Sequence, residues 1–144
     1  MRTFEETRDL PCSAAEIYGV VMDIEAYETF LPWVAHSRVL ERGDGELTAE
    51  LVADFAGMHQ SFRTVDRFVE NKMVEIRLLD GPFNFLESLW TFENLGDERC
   101  RVHFSIEFEF RSMMLDLVAS PIFSTACKTM VHTFESRAVV LGQK

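Results

Sequence analysis

Between Val34 and Phe110 apolar residues recur at every second position. Leu47, Ala49, Leu51, Ala53 and Phe55 alternate with Thr48, Glu50, Val52 and Asp54, which predicts a strand with one buried face. Phe62, Thr64 and Phe68 alternate with Arg63 and Arg67, and Val74, Ile76 and Leu78 alternate with Glu75 and Arg77. Trp90 and Phe92 share a face opposite Thr91 and Glu93. The clearest run is Val102, Phe104, Ile106, Phe108 and Phe110, interleaved with Arg101, His103, Ser105, Glu107 and Glu109. Gly43-Asp44-Gly45, Asp80-Gly81-Pro82 and Gly96-Asp97-Glu98 fall between runs, where tight turns belong. The second of these is expected to aim Phe83 and Phe85 inward. Residues 3–9 alternate weakly and read as an edge strand. Consecutive strands joined by tight turns imply an antiparallel meander of six or seven strands.

The period changes on either side. Ser13 followed by Glu16 is a capping box, and Ile17, Val20, Val21 and Ile24 give the stripe of a short amphipathic helix. Tyr27 to Trp33 is aromatic and interrupted by Pro32, so a break, or a second short helix followed by a turn, is expected. Ser120-Pro121 predicts the start of a long helix, with Phe123, Ala126, Met130, Phe134 and Leu141 on one face and Gly142 as its cap. Met113, Met114, Leu117 and Val118 precede it as a second apolar piece, either a kinked extension or a separate turn, so the chain is expected to be helical from Ser112. The reading is an α+β chain, one domain over 1–144, with a curved antiparallel sheet wrapped on a long C-terminal helix. Bulky aromatics facing small Ala49, Ala53 and Ala126 leave room for an apolar hollow between them.

Composition narrows the function. The 13 Phe against 2 Tyr and 2 Trp supply large apolar volume without polar tips. A net charge of −10 disfavours phosphate backbones, so DNA is not an expected partner. The charge is uneven: from Met113 onward Lys128, Arg137 and Lys144 outnumber Asp116 and Glu135. An anionic membrane therefore repels the bulk of the chain but not this segment. Met113, Met114, Leu117 and Val118 are the candidate residues for weak peripheral membrane contact. No apolar run approaches the ~18 residues of a membrane span. The N-terminus has neither signal-peptide nor transit-peptide character, so a cytoplasmic location is expected, peripheral at most on the inner face of a respiratory membrane.

Catalytic and metal chemistry find little support. Cys12, Cys100 and Cys127 and the four histidines are scattered, and HExxH, CxxC, GxSxG, P-loop and GxGxxG patterns are absent. No catalytic residue, metal or cofactor is expected. Asp66 shares a face with Phe62 and Phe68, and a structural salt bridge to Arg63 or Arg67 across a bulged strand is its expected role.

Several segments carry a resemblance: Tyr27–Trp33 (YETFLPW), Leu47–Gly57 (LTAELVADFAG), Asp80–Phe83 (DGPF), Trp90-Thr91-Phe92, Cys100–Phe110 (CRVHFSIEFEF) and Met130–Gly142 (MVHTFESRAVVLG). In this order they resemble the helix-grip fold of START and Bet v-type lipid-binding domains. More narrowly, the chain resembles the coenzyme Q-binding family of polyketide-cyclase-like proteins, whose bacterial members include ribosome-association toxins. It departs from the family pattern at Glu28, where Pro is frequent, and at Val34, where Cys is common.

The resemblance implies a hydrophobic cavity between sheet and C-terminal helix with a prenyl quinone, ubiquinone, as ligand. Combined with the inward face, it nominates Leu31, Trp33, Leu51, Phe55, Phe62, Leu78, Trp90, Phe92, Phe104, Ile106, Phe108, Phe123, Met130 and Phe134 as candidate lining residues. The expected function is non-enzymatic binding of ubiquinone or a similar prenyl lipid, in support of respiratory electron transport or quinone delivery. The alternatives are a toxin-like inhibitor that binds a ribosomal subunit and a cyclase-like enzyme of small molecules.

Overall fold

A computed structural model describes residues 1–142. Seven strands form one antiparallel sheet: β1 (Arg2–Leu10), β2 (Val34–Gly43), β3 (Glu46–Phe55), β4 (Met58–Val69), β5 (Met73–Asp80), β6 (Phe83–Gly96) and β7 (Arg99–Phe110). Their order is β1-β7-β6-β5-β4-β3-β2, so β2 to β7 form a meander and β1 closes on its last strand. Helices α1 (Ala14–Met22) and α2 (Tyr27–Phe30), joined by a 3-10 turn over Ile24–Ala26, fill the β1–β2 connection. Helices α3 (Met113–Lys128) and α4 (Met130–Gly142) follow the sheet. This is the helix-grip arrangement, with the sheet's apolar face folded over the C-terminal helices.

Local signals account for most boundaries. The Ser13 hydroxyl accepts from the Glu16 backbone N–H, and the Glu16 carboxylate accepts from the Ser13 N–H, which satisfies two free donors at the start of α1. Gly81 answers a close approach. Its φ is +148°, and a Cβ built there would stand 2.4 Å from the Cβ of Phe62. The outer face of the sheet is laced by charge. Glu50 on β3 accepts from Arg38 on β2 at 2.8 Å and Arg63 on β4 at 3.1 Å, which holds its carboxyl below the usual range.

Three expectations are corrected. The helical region does start after Ser112, whose hydroxyl accepts from the Leu115 N–H at 3.0 Å, but Ser120-Pro121 is not a helix N-terminus. Ser120 lies inside α3, donating to Asp116 at 2.9 Å, and Pro121 sits within the helix. A Ser-Pro pair resembles a helix start in sequence, yet the apolar piece before it continues the same helix. The helix is then interrupted at Thr129. Thr125, Thr129 and Thr133 each donate a hydroxyl to the carbonyl four residues earlier, a back-bonding pattern that bends helices, and Pro121 removes one ladder bond upstream. The break redirects the apolar stripe, so Ala138 is buried and Leu141 is exposed. Gly142, the expected cap, is the last described residue of α4, and Lys144 lies outside the described residues.

Third, a register shift between Phe83 and Phe85 resets the alternation of β6. Phe83 and Leu86 are buried, whereas Phe85 stands half-buried opposite Glu109. Phe83 therefore joins Phe55, Phe108, Phe110 and Phe123 in a filled aromatic cluster, with centroids 4.7 Å apart for Phe83–Phe110 and for Phe108–Phe123. The other end of the sheet is less completely filled.

Candidate functional site

That less filled end holds a cavity of about 80 Å³, bounded by strands β3 to β7, the α2 region and helices α3 and α4. Among the residues nominated from sequence, Leu31, Trp33, Leu51, Phe62, Trp90, Phe104, Ile106, Phe123, Met130 and Phe134 line it. Phe55 and Phe108 do not; they belong to the filled cluster at the opposite end. Phe92 does not either, because it packs edge-on against Tyr18 of α1 at 5.8 Å. Leu78 lies towards the end of β5, half-buried and outside the lining.

Aromatic contacts set the shape. Trp90 lies against Phe104 at 4.6 Å and Phe134 of α4 at 5.1 Å, and Tyr27 of α2 meets Phe134 edge-on at 5.5 Å. The Tyr27 hydroxyl donates to the Val21 carbonyl, which ties α2 to the end of α1. Full burial pushes its pKa well above that of an ordinary tyrosine.

The sequence reading missed Ile24, Tyr27, Ala49, Thr64, Asp66, Ile76, Leu86 and Ser88 as lining residues. Alternation alone would have found Thr64, Asp66 and Ser88, which stand at inward positions of β4 and β6. Their polarity sets them apart from the apolar residues that nominate a lining in sequence. Asp66 is 4% exposed and, among the described residues, forms no salt bridge; the expected pairing with Arg63 or Arg67 does not occur. Those arginines point outward to Glu50 and Glu46, since β4 carries no bulge at Asp66 that would turn them in. Asp66 instead accepts from the Thr64 hydroxyl at 2.7 Å. Burial raises its pKa to about 6 despite that bond. Ser88 and Trp33 are 6% and 8% exposed, and neither Ser88 Oγ nor Trp33 Nε1 has a hydrogen-bond partner among the described residues.

A second concavity, a groove of about 470 Å³, runs outside the cavity between Leu31–Trp33 and helices α3 and α4. It shares Leu31, Trp33 and Met130 with the cavity, so these three side chains divide the two spaces. The groove also carries Thr125, Thr129 and Thr133. Their hydroxyls are satisfied by their own helix, so the threonine stripe presents little unmet polarity.

Elsewhere, Met113, Met114 and Leu117 project from the first turns of α3, with Met113 86% and Leu117 77% exposed, whereas Val118 is half-buried. Cys12, Cys100 and Cys127 are buried free thiols, and burial pushes Cys12 and Cys127 up to about 12, which makes them unreactive. Among the described residues no group of three metal-ligating side chains occurs, and no helix is long and apolar enough to cross a membrane.

The profile of a protein family described as polyketide cyclase / dehydrase and lipid transport matches residues 10–135. The chain belongs to that family. Within this polyketide cyclase and lipid transport family it is similar to the ribosome association toxin RatA of Escherichia coli strain K12, 34% identical over 96% of this chain and 87% of the relative. It is also similar to a mitochondrial coenzyme Q-binding protein, COQ10 homolog B of Xenopus laevis, 30% identical over 94% of this chain and 57% of that longer relative. The crystal structure of the Zhui aromatase/cyclase from Streptomyces sp. R1128 superposes with a TM-score of 0.79 over 95% of this chain and 93% of that chain. At 18% identity this last likeness speaks to the fold alone.

Proposed function

We propose that the chain binds a prenyl lipid, with ubiquinone as the leading candidate, and carries out no chemistry on it. The observation that carries this reading is the pairing of an aromatic-lined cavity with an apolar groove across Leu31, Trp33 and Met130. The ring would take an enlarged form of the first space and an isoprenoid tail the second. The cavity's 80 Å³ falls short of the roughly 300–1,000 Å³ of ordinary ligand pockets, so the ring enters only as the dividing side chains move aside. Likeness to the coenzyme Q-binding relative supports the choice of a quinone. A binding role suits a wall whose titratable groups are Asp66, bonded to Thr64, and Tyr27, bonded to Val21.

The protein would work in the cytoplasm and touch the respiratory membrane weakly through Met113, Met114 and Leu117. Organic extraction of the purified protein followed by mass spectrometry tests the reading. A co-purifying prenyl quinone is expected. Absence of any prenyl lipid, together with no uptake of added quinone, would reject it.

A second reading, association with a ribosomal subunit, is supported by the likeness to RatA. A net charge of −10 weakens approach to a polyanion, so contact would have to run through basic ribosomal proteins. Sucrose gradients separate the two: loss of whole ribosomes at near-stoichiometric protein and physiological salt would favour the second reading.

A further inference from the structure

The cavity is apolar except on one side, and that side has unusual chemistry. Asp66 on β4 is opposite Ile76 on β5, which is opposite Ser88 on β6, so Asp66 and Ser88 face the cavity from positions two strand spacings, about 10 Å, apart. Thr64 stands two residues before Asp66 and donates to it. Ser88 Oγ and Trp33 Nε1 are buried and, among the described residues, unpartnered. A buried polar group without a partner costs stability, so a native site that retains two of them beside a cavity is suited to a ligand that completes their bonds.

Charge adds a second constraint. Among the described residues, Asp66 is the one acidic residue of the cavity wall and Asp54 the one of the groove, and no Lys, Arg or His lines either space. A carboxylate or phosphate head would meet negative charge and find no cation in either compartment. With its pKa near 6, Asp66 is mostly ionised at pH 7.5 and strengthens that exclusion.

We propose that Ser88 and the Thr64–Asp66 pair on the sheet wall, together with Trp33 on the boundary to the groove, select an uncharged, oxygen-bearing ligand head and reject lipids with anionic heads. Trp33 donates to an acceptor oxygen of the head, and Ser88 donates to another or accepts from a hydroxyl. The proposal rests on the lipid-binding reading and adds head-group selection to it.

Calorimetric titration at pH 7.5 with two probes of similar tail length tests it: a ubiquinone analogue with a decyl tail, and laurate. The wild type should bind the quinone at least tenfold more tightly than laurate. Folded Ser88→Ala should lose about five- to tenfold affinity for the quinone, the worth of one hydrogen bond, while leaving laurate unchanged, and folded Trp33→Phe should lose about five- to tenfold more affinity for the quinone than for laurate. Asp66→Asn should narrow the preference by improving laurate binding. Equal wild-type affinity for both probes, or quinone binding untouched by both Ser88→Ala and Trp33→Phe, overturns head selection while leaving lipid binding intact. Binding of neither probe overturns both readings. Should Trp33→Phe unfold the chain, Ser88→Ala alone decides the hydrogen-bond claim, because removing one hydroxyl creates almost no cavity.

Discussion

Trp33 and Phe123 meet edge to face, ring centroids 5.2 Å apart and planes at 83°, so the turn after α2 touches helix α3 beside the cavity. The two rings are held unequally. Phe123 also contacts Phe55, Phe83, Phe108 and Phe110, all members of the filled cluster. Trp33 has Phe123 as its one aromatic neighbour among the described residues and borders both cavity and groove. Entry into the cavity should therefore displace Trp33 and leave Phe123 in place.

Affinity should follow tail length. At roughly 25 cal/mol per Å² of apolar surface, each isoprene buried in the groove should add about 1–3 kcal/mol until the groove is full. A titration series over quinones of increasing tail length should rise steeply and then plateau. Trp90→Ala, which removes the ring packed at a tilt against Phe104 and Phe134, should weaken binding by ~2–4 kcal/mol at every tail length. The outward change Glu107→Ala should do little. Affinity independent of tail length would show that the groove does not take the tail.

Gly81→Ala should destabilise the fold by ~2 kcal/mol or more. The new methyl would press on the Phe62 Cβ 2.4 Å away, and its φ of +148° is one that alanine rarely adopts. Gly57→Ala is the control: φ is also positive, at +89°, but nothing lies within 4 Å. Urea midpoints should fall further for Gly81→Ala than for Gly57→Ala. Equal midpoints would mean that the approach of Phe62 to the turn carries no cost.

The sheet was legible because its alternation is long and its turns carry glycine. Val102 to Phe110 predicts β7 unaided, and the capping box at Ser13 predicts α1. The C-terminal region is legible as helical from Ser112, but not as two helices broken at Thr129. Pro121 usually marks a helix start, and nothing in a linear pattern shows that it lies inside a helix. The aromatic wall was legible for the same reason as the sheet, yet which end of it is filled depends on the bulge after Phe83. The polar wall was in the pattern and discounted. Asp66 and Ser88 stand at inward positions, but an inward carboxyl invites the reading of a salt bridge until the neighbouring arginines are seen to face outward.

Met113, Met114 and Leu117 expose apolar surface on the first turns of α3. Vesicle flotation should show weak, reversible association of the wild type, since a single amphipathic turn binds in proportion to its buried apolar area. Leu117→Glu should abolish it without loss of folding, as Leu117 is 77% exposed. Equal flotation of both proteins, or none for the wild type, would remove membrane contact from the account.

Asp66 should leave a mark on stability against pH. Its carboxyl is raised from 3.8 to about 6 by burial, so between those values the folded state binds the proton more than the unfolded state does. Stability from this group is then fully present below about pH 4 and is lost as pH rises through 6, by up to about 3 kcal/mol. Glu50, Asp9 and Asp116 have the opposite sign: hydrogen bonds from Arg63, Arg101 and Ser120 respectively hold them low, and their contribution is lost as pH falls. The wild-type curve mixes both, so the measurement is a difference. Asp66→Asn keeps an acceptor for the Thr64 hydroxyl and removes the titration. Urea unfolding from pH 4 to pH 7.5 should show the variant close to wild type at pH 4 and increasingly more stable above pH 5. A difference that does not change with pH would mean that Asp66 titrates alike in the folded and unfolded chain and is not desolvated in the cavity wall.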